Sequence, residues 1–233
     1  SGHVTAVEAL VRWRHPRHGL LSPDAFVPLA EECGVIHLLD MQVLRTACRQ
    51  ARAWREALAT APVVSVNLSA RELAHPTLVT DVRAILAETG LDPALLRLEI
   101  TETAAMQDAE STKAMLTALQ QLGVRIAIDD FGTGYSALSY LRRLPVDTLK
   151  VDRSFVTATD DDPNAVTVLQ AVTALGRALG LEVTAEGVET EAHYERVRTA
   201  GCTSAQGYYF AQPLTAEAIT RLLQEQRQRT TAA

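Results

Sequence analysis

What most constrains this chain is an alternation. Short apolar, β-branched runs end in polar residues and are separated by segments of helical spacing that stop at glycines. The richest run is VRIAIDDFGTGY at 124–135. Val124, Ile126 and Ile128 read as a buried strand. It closes on Asp129 and Asp130, followed by a turn containing Gly132 and Gly134. Successive side chains of an extended strand point to opposite faces, so the two carboxylates diverge unless the strand ends between them. Such a pair suits two cations, or one cation and a water; the plainer alternative is a solvated strand end.

The rest of the chain repeats the pattern. VTAVEALVRW at 4–13 is a strand with Glu8 among apolar residues, a placement that is costly unless the carboxylate is paired or metal-bound. Pro16 and Gly19 mark a loop, Ser22 and Pro23 start a helix, and Gly34 ends it. A long helix follows over 37–59, with Met41 and Trp54 as core residues. VVSVNLS is a strand ending in Asn67, and a helix over 77–89 stops at Gly90. LLRLEIT carries Glu99 near its end and Glu102 three residues on, before a helix over 109–122. A short helix is expected over 137–143; TLKVD is then a strand bearing Lys150 and Asp152. Asp160–Asp162 and Pro163 open a helix running to Gly180, and LEVTAEGVE is a strand ending in Glu186. A helix over 190–200 leads to CTSAQGYYF, a last strand bearing Gln206, and a helix over 215–228 ends the chain.

Seven strands with short connections and intervening helices imply parallel strands with crossover helices. An open doubly wound sheet concentrates its site at one switch point, whereas a closed barrel gathers strand-end residues onto one face. Polar residues at all seven strand ends therefore favour an α/β fold of the TIM-like (β/α) barrel type. The 233 residues suit one domain, and 47% hydrophobic with 21% charged residues is a globular composition. No apolar run is long enough for a bilayer, and Cys33, Cys48 and Cys202 lack metal-ligand spacing, so a reduced, cytoplasmic setting is expected. A net charge of −6 argues against bulk nucleic-acid binding. The chain opens at Ser1 without a methionine, as expected of a piece of something longer.

Five or six carboxylates converging in a barrel mouth repel one another unless divalent cations neutralise them. Oxygen-only donors favour Mg²⁺ or Mn²⁺. The six histidines fall in loops or on helices, and none is expected to be a ligand. Two hard cations about 4 Å apart suit in-line displacement at phosphorus. Lys150 would then steady the developing charge.

These residues resemble a family. EALVRW at 8–13, NLS at 67–69, EITE at 99–102, DDFGTGYSALSYL at 129–141, KVD at 150–152, EGVE at 186–189 and QGYYF at 206–210 are similar, in order and spacing, to EAL-domain phosphodiesterases of cyclic di-GMP. The resemblance implies Glu8, Asn67, Glu99 and Asp129 as ligands of a first Mg²⁺ or Mn²⁺, with Asp129 bridging and Asp130 serving a second. It implies Glu186 and Lys150 as the groups handling the nucleophilic water, Gln206 as that water's second partner, and Glu102 as an anchor of the DFGTG loop. Arg12, Leu10 and Asp152 fall to substrate binding, and the product would be linear pGpG. Relatives pair into dimers through the region after DFGTG and often follow a sensor or GGDEF domain, so a homodimer and such an N-terminal neighbour are the partners implied.

Family members begin some twenty-odd residues earlier, so the whole chain, 1–233, reads as an N-terminally truncated EAL phosphodiesterase domain lacking the family's first strand. An open sheet edge is then expected. Two alternatives remain: a catalytically silent EAL-type receptor for cyclic di-GMP or a protein partner, and an enolase-type lyase. The lyase needs a capping domain and leaves Asn67, Asp130 and Gln206 without roles.

Overall fold

The structure, a computed structural model, describes residues 2–58, 61–133, 141–157 and 163–231. Most of the helix expected over 137–143, and Asp160–Asp162, lie outside the described residues. The strands are β1 (Ala6–Glu8), β2 (Trp13–His15), β3 (Gly19–Leu21), β4 (Val63–Asn67), β5 (Leu96–Thr101), β6 (Arg125–Phe131), β7 (Thr148–Val151), β8 (Glu182–Ala185) and β9 (Ser204–Ala205). The main sheet runs β1-β4-β5-β6-β7-β8-β9, and β2 pairs with β3 separately. The chain divides into two compact units, one built from Ser1–Leu98, Gln121–Arg125 and Leu214–Ala233, the other from Glu99–Gln120 and Ile126–Pro213.

In the first unit β1 lies parallel to β4, with Ala6 opposite Val63 and Glu8 opposite Ser65. Val64, Val66, Leu96 and Leu98 of β4 and β5 are buried, as are Leu44, Cys48, Leu78, Val82 and Ile85. The last five come from helices Ile36–Ala57 and Leu78–Thr89, where apolar residues recur at three- and four-residue spacing. Each fully buried Leu, Val or Ile contributes about 1.5–3 kcal/mol over leaving it in water. Ser69 caps the short helix Ala70–Leu73 by accepting from the Glu72 amide, and Gly90 closes helix Leu78–Thr89 in the left-handed region.

The strand expected over 4–13 is shorter, covering only Ala6–Glu8; β2 and β3 form an antiparallel hairpin about the Pro16–Gly19 loop. Helix Ala216–Thr231 packs Leu223 on Trp54 and Leu58, and Trp54 Nε1 donates to Thr220 Oγ1 at 2.8 Å. Gln226 of that helix meets the backbone just before β1. Its Oε1 accepts from Val4 N at 2.7 Å, and its Nε2 donates to Val4 O at 3.4 Å.

In the second unit β6, β7, β8 and β9 are parallel neighbours, with Leu149 opposite Ile128 and Val183 and with Ala205 opposite Ala185. Helices Pro163–Leu179 and Glu191–Ala200 flank β8; Thr190 Oγ1 caps the latter. Phe210 N donates to Gly207 O, so QGYYF is a turn and not the strand expected. Its aromatics pack on Tyr194 instead.

Candidate active site

The centre of the second unit's polar cluster is Lys150. β7 is buried along its length and Lys150 is 2% exposed. Its neighbours on either side bring acids beside it: β6 carries Asp129 and Asp130, and Glu186 follows β8. Nζ lies 2.6 Å from Glu99 Oε2, 3.1 Å from Asp129 Oδ2 and 2.6 Å from Glu186 Oε1. Three donors on one ammonium meet three carboxylates, which suits the hydrogen-bonding capacity of lysine. Part of the mutual repulsion expected among the acids is thus neutralised by the protein itself.

Asp129 and Asp130 do not flank a strand end. β6 continues to Phe131, and its register on β7 shifts between Ile128 and Phe131. Asp130 sits at φ 54, the one positive-φ non-glycine among the described residues, and its N–H donates to Asp129 Oδ1 at 2.9 Å. A bulge of this kind re-aims a side chain within a strand. The adjacent carboxylates, which regular pleating would separate, therefore converge. One oxygen each from Asp129, Asp130 and Glu186 lies within 4.8 Å of the other two. An all-oxygen donor set of this charge fits a hard divalent cation.

The segment after the bulge is tied down by Glu102. This residue opens helix Glu102–Gln107, is 2% exposed, and its Oε2 accepts from the Gly132 N–H at 2.9 Å. Gly132 has φ +102, and a Cβ there would stand 2.8 Å from Phe155 Cε2. Gly134 and the rest of the DFGTGY turn lie outside the described residues.

The remaining sequence-derived residues are placed as follows. Asn67 Nδ2 donates to Glu8 Oε1 at 2.7 Å in the first unit. Leu10 and Arg12 lie between β1 and β2, both exposed, and Arg12 Nη1 donates to Val11 O. Asp152 Oδ1 accepts from the backbone N–H and hydroxyl of Ser154 at the start of helix Arg153–Thr157. Gln206 follows β9; its N–H donates to Ala185 O, and its carbonyl accepts from Val188 N. His37, His75 and Asp81 also come together in the first unit.

A parallel (β/α) arrangement with acids near strand ends and a buried lysine among them defines a class, the TIM-like (β/α) folds. The EAL domain family model matches residues 1–213, and the chain belongs to the EAL domain family. It is 46% identical over 219 residues to the bifunctional diguanylate cyclase/cyclic di-GMP phosphodiesterase MucR of Pseudomonas aeruginosa, covering 94% of this chain and 32% of MucR. It is also 46% identical over 227 residues to the cyclic di-GMP phosphodiesterase NbdA of the same organism, covering 97% of this chain and 29% of NbdA. The chain thus spans about a third of the length of these curated relatives. Among solved structures, a c-di-GMP complex of the PaMucR phosphodiesterase superposes with a TM-score of 0.90 at 46% identity, covering 92% of this chain and 87% of that one. This likeness carries the fold assignment, a TIM-like (β/α) barrel, with seven strands in the main sheet here.

Proposed function

We propose that this chain hydrolyses cyclic di-GMP to linear pGpG as a metal-dependent phosphodiesterase, residues 1–233 acting as its EAL phosphodiesterase domain in the cytoplasm. The observation that carries this reading is the buried Lys150 ammonium held by Glu99, Asp129 and Glu186 beside the converging Asp129–Asp130 pair. Family membership and the names of the relatives supply the substrate.

Glu8, Asn67, Glu99 and Asp129 would hold one Mg²⁺ or Mn²⁺, with Asp129 and Asp130 holding a second. When bound, these cations neutralise phosphate charge and lower the pKa of a water. The chain's own residues do the rest. Glu186, at the solvent side of the cluster, takes the proton of the attacking water as general base. Gln206 accepts that water's other hydrogen bond and so fixes its direction of approach. Lys150 stabilises the negative charge that grows on the phosphoryl oxygens as the water oxygen bonds to phosphorus. The opposite P–O bond breaks, and the leaving ribose oxygen takes a proton from solvent water to become a hydroxyl. Arg12 grips a phosphate with its planar fork, while Leu10 and Asp152 contact the nucleotide. Glu102 holds the segment after Asp130 through the Gly132 amide. An N-terminal sensor or GGDEF domain in the longer protein, and a homodimer, complete the proposal; the 32% and 29% coverage of MucR and NbdA supports the former.

The test is to incubate the purified chain with Mn²⁺ and cyclic di-GMP and separate the nucleotides by chromatography. The reading expects pGpG from the unmodified chain and none from Asp129→Asn or Glu186→Gln. Retention of intact cyclic di-GMP by the unmodified chain without any pGpG would instead identify a silent receptor.

A further inference from the structure

We propose that Thr184 and Ser204 are a positioning pair for the hydrolysis, a role that rests on the phosphodiesterase reading in which Glu186 and Gln206 handle the attacking water. Their hydroxyls, bonded to each other between β8 and β9, set those two side chains at the spacing one water requires. All four residues lie in the second unit. Thr184 of β8 and Ser204 of β9 are directly opposite each other in a parallel pair, and Thr184 is also opposite Lys150 of β7. Thr184 Oγ1 and Ser204 Oγ are 2.7 Å apart, the ordinary length of an O–H···O bond.

The face these hydroxyls occupy is that of the site. Alternate residues of a strand point to opposite sides. Leu149 and Val183, in register, lie under helix Pro163–Leu179: a Cβ added at Gly176 would run into Val183 Cγ2 and stand 3.8 Å from Leu149 Cδ1. Thr184 and Lys150 therefore face away from that helix. So does Glu186, two residues beyond Thr184, whose Oε1 lies 2.6 Å from Lys150 Nζ. The Glu186 N–H donates to Val151 O, so the chain still follows β7 there. Gln206 stands in the same relation to Ser204, its N–H donating to Ala185 O and its carbonyl accepting from Val188 N. Each hydroxyl thus sits one pleat repeat, about 6.6 Å, behind a water-handling side chain on its own strand.

The shortness of β9 is what gives the pair its role. This strand is two residues long and ends the strand order of the main sheet, with β8 as its one neighbour among the described strands. Backbone bonds at Thr203, Gln206 and Val188 fix its register. They lie in the plane of the sheet and resist sliding more than they resist rolling of a short edge strand about its own axis. On the outward face Ala205 meets Ala185, and two methyl groups offer no directional bond. The hydrogen bond between the inward side chains opposes the roll. Thr184 is 7% exposed, so little solvent competes for its hydroxyl. Catalysis is steep in such displacements: at about 10²-fold per 1 Å of misplacement, a shift of about 0.4 Å at Gln206 costs about sixfold. A pair that merely satisfied two inward hydroxyls would contribute to stability and leave turnover alone.

The test measures pGpG formation by the whole chain with Mn²⁺, at saturating and at limiting cyclic di-GMP and well below the melting temperature. Thr184→Val, which keeps the shape and removes the hydroxyl, and Ser204→Ala should each lower kcat at least fivefold with KM within twofold of the parent. The double variant should fall no further than the single ones, because each already breaks the same bond. Thr184→Ser, which keeps the hydroxyl, should stay within twofold of the parent. Hydrogen exchange reads the placement without activity. In Thr184→Val the Gln206 amide should exchange at least tenfold faster, while the Glu182 amide, bonded to Asp147 O, keeps the parent's rate. Parent kcat in both single variants, a loss confined to KM, multiplicative losses in the double variant, or unchanged Gln206 exchange overturns the positioning role alone. Absence of pGpG from the parent chain overturns the phosphodiesterase reading, and the positioning role with it.

Discussion

Replacing Lys150 by methionine removes the ammonium while keeping most of the side chain's volume. In the parent chain Nζ faces oxygens of Glu99, Asp129 and Glu186 at 2.6, 3.1 and 2.6 Å. At an effective dielectric near 20, each contact is a gross attraction of about 5–6.5 kcal/mol. Desolvation of the four groups offsets most of it, and deleting one partner of a buried ion pair costs about 3–5 kcal/mol net. Lys150→Met leaves Glu99, which is 2% exposed, beside Asp129 with no cation between them. The stability loss in chelator should therefore be about 3–5 kcal/mol, read by urea unfolding. Added Mg²⁺ restores positive charge to the same acids, so the variant's stability should rise with Mg²⁺ far more than the parent's. pGpG formation should be lost with or without that rescue. A variant as stable as the parent in chelator, or one whose unfolding midpoint ignores Mg²⁺, would refute the view that Lys150 and divalent cations neutralise the same carboxylates.

Other perturbations probe the supports of the site and the core. Glu102→Ala strips the acceptor from the Gly132 N–H and should cost about 1–3 kcal/mol, with faster hydrogen exchange at the Gly132 amide. Gly132→Ala forces a side chain into φ +102 and against Phe155, and should lower stability by more than about 1 kcal/mol in thermal melts. Asp40 is buried in helix Ile36–Ala57, and desolvation raises its pKa from 3.8 to about 6 despite the Ser69 hydrogen bonds. At 1.36 kcal/mol per pH unit this is a cost of about 3 kcal/mol above pH 6. As pH falls through 6 toward 3.8 the folded chain takes up a proton that the unfolded chain does not, so stability rises. Asp40→Asn should therefore be more stable than the parent at pH 8, with the gap closing below about pH 4 in denaturant melts.

The parts of the fold that depend on local chemistry could be read from the sequence. Strands β4 and β5 and the helices that stop at Gly90 and Gly201 follow from β-branched runs and left-handed glycine stops. What escaped depends on partners distant in the chain. The Asp129–Asp130 pair was expected to straddle a strand end; the register shift against β7 instead turns Asp130 to φ 54 within the strand. The run at 4–13 is cut short because pairing with β4 stops once Ala9 has bonded Ser65 O. Lys150 was visible as a strand cation, yet two of its three acidic neighbours, Asp129 and Glu186, are set by pairing of β6, β7 and β8. His37 and Asp81 are 44 residues apart on separate helices, and nothing in their spacing signals that packing of those helices joins them.

The central claim is that acids from separate strands form one site by sharing divalent cations, with Asp129 common to both ions. Anomalous diffraction from crystals grown with Mn²⁺ and cyclic di-GMP tests it most directly. The account predicts two manganese peaks about 4 Å apart, each bonded to Asp129. A single peak, or peaks that do not touch Asp129, would contradict it.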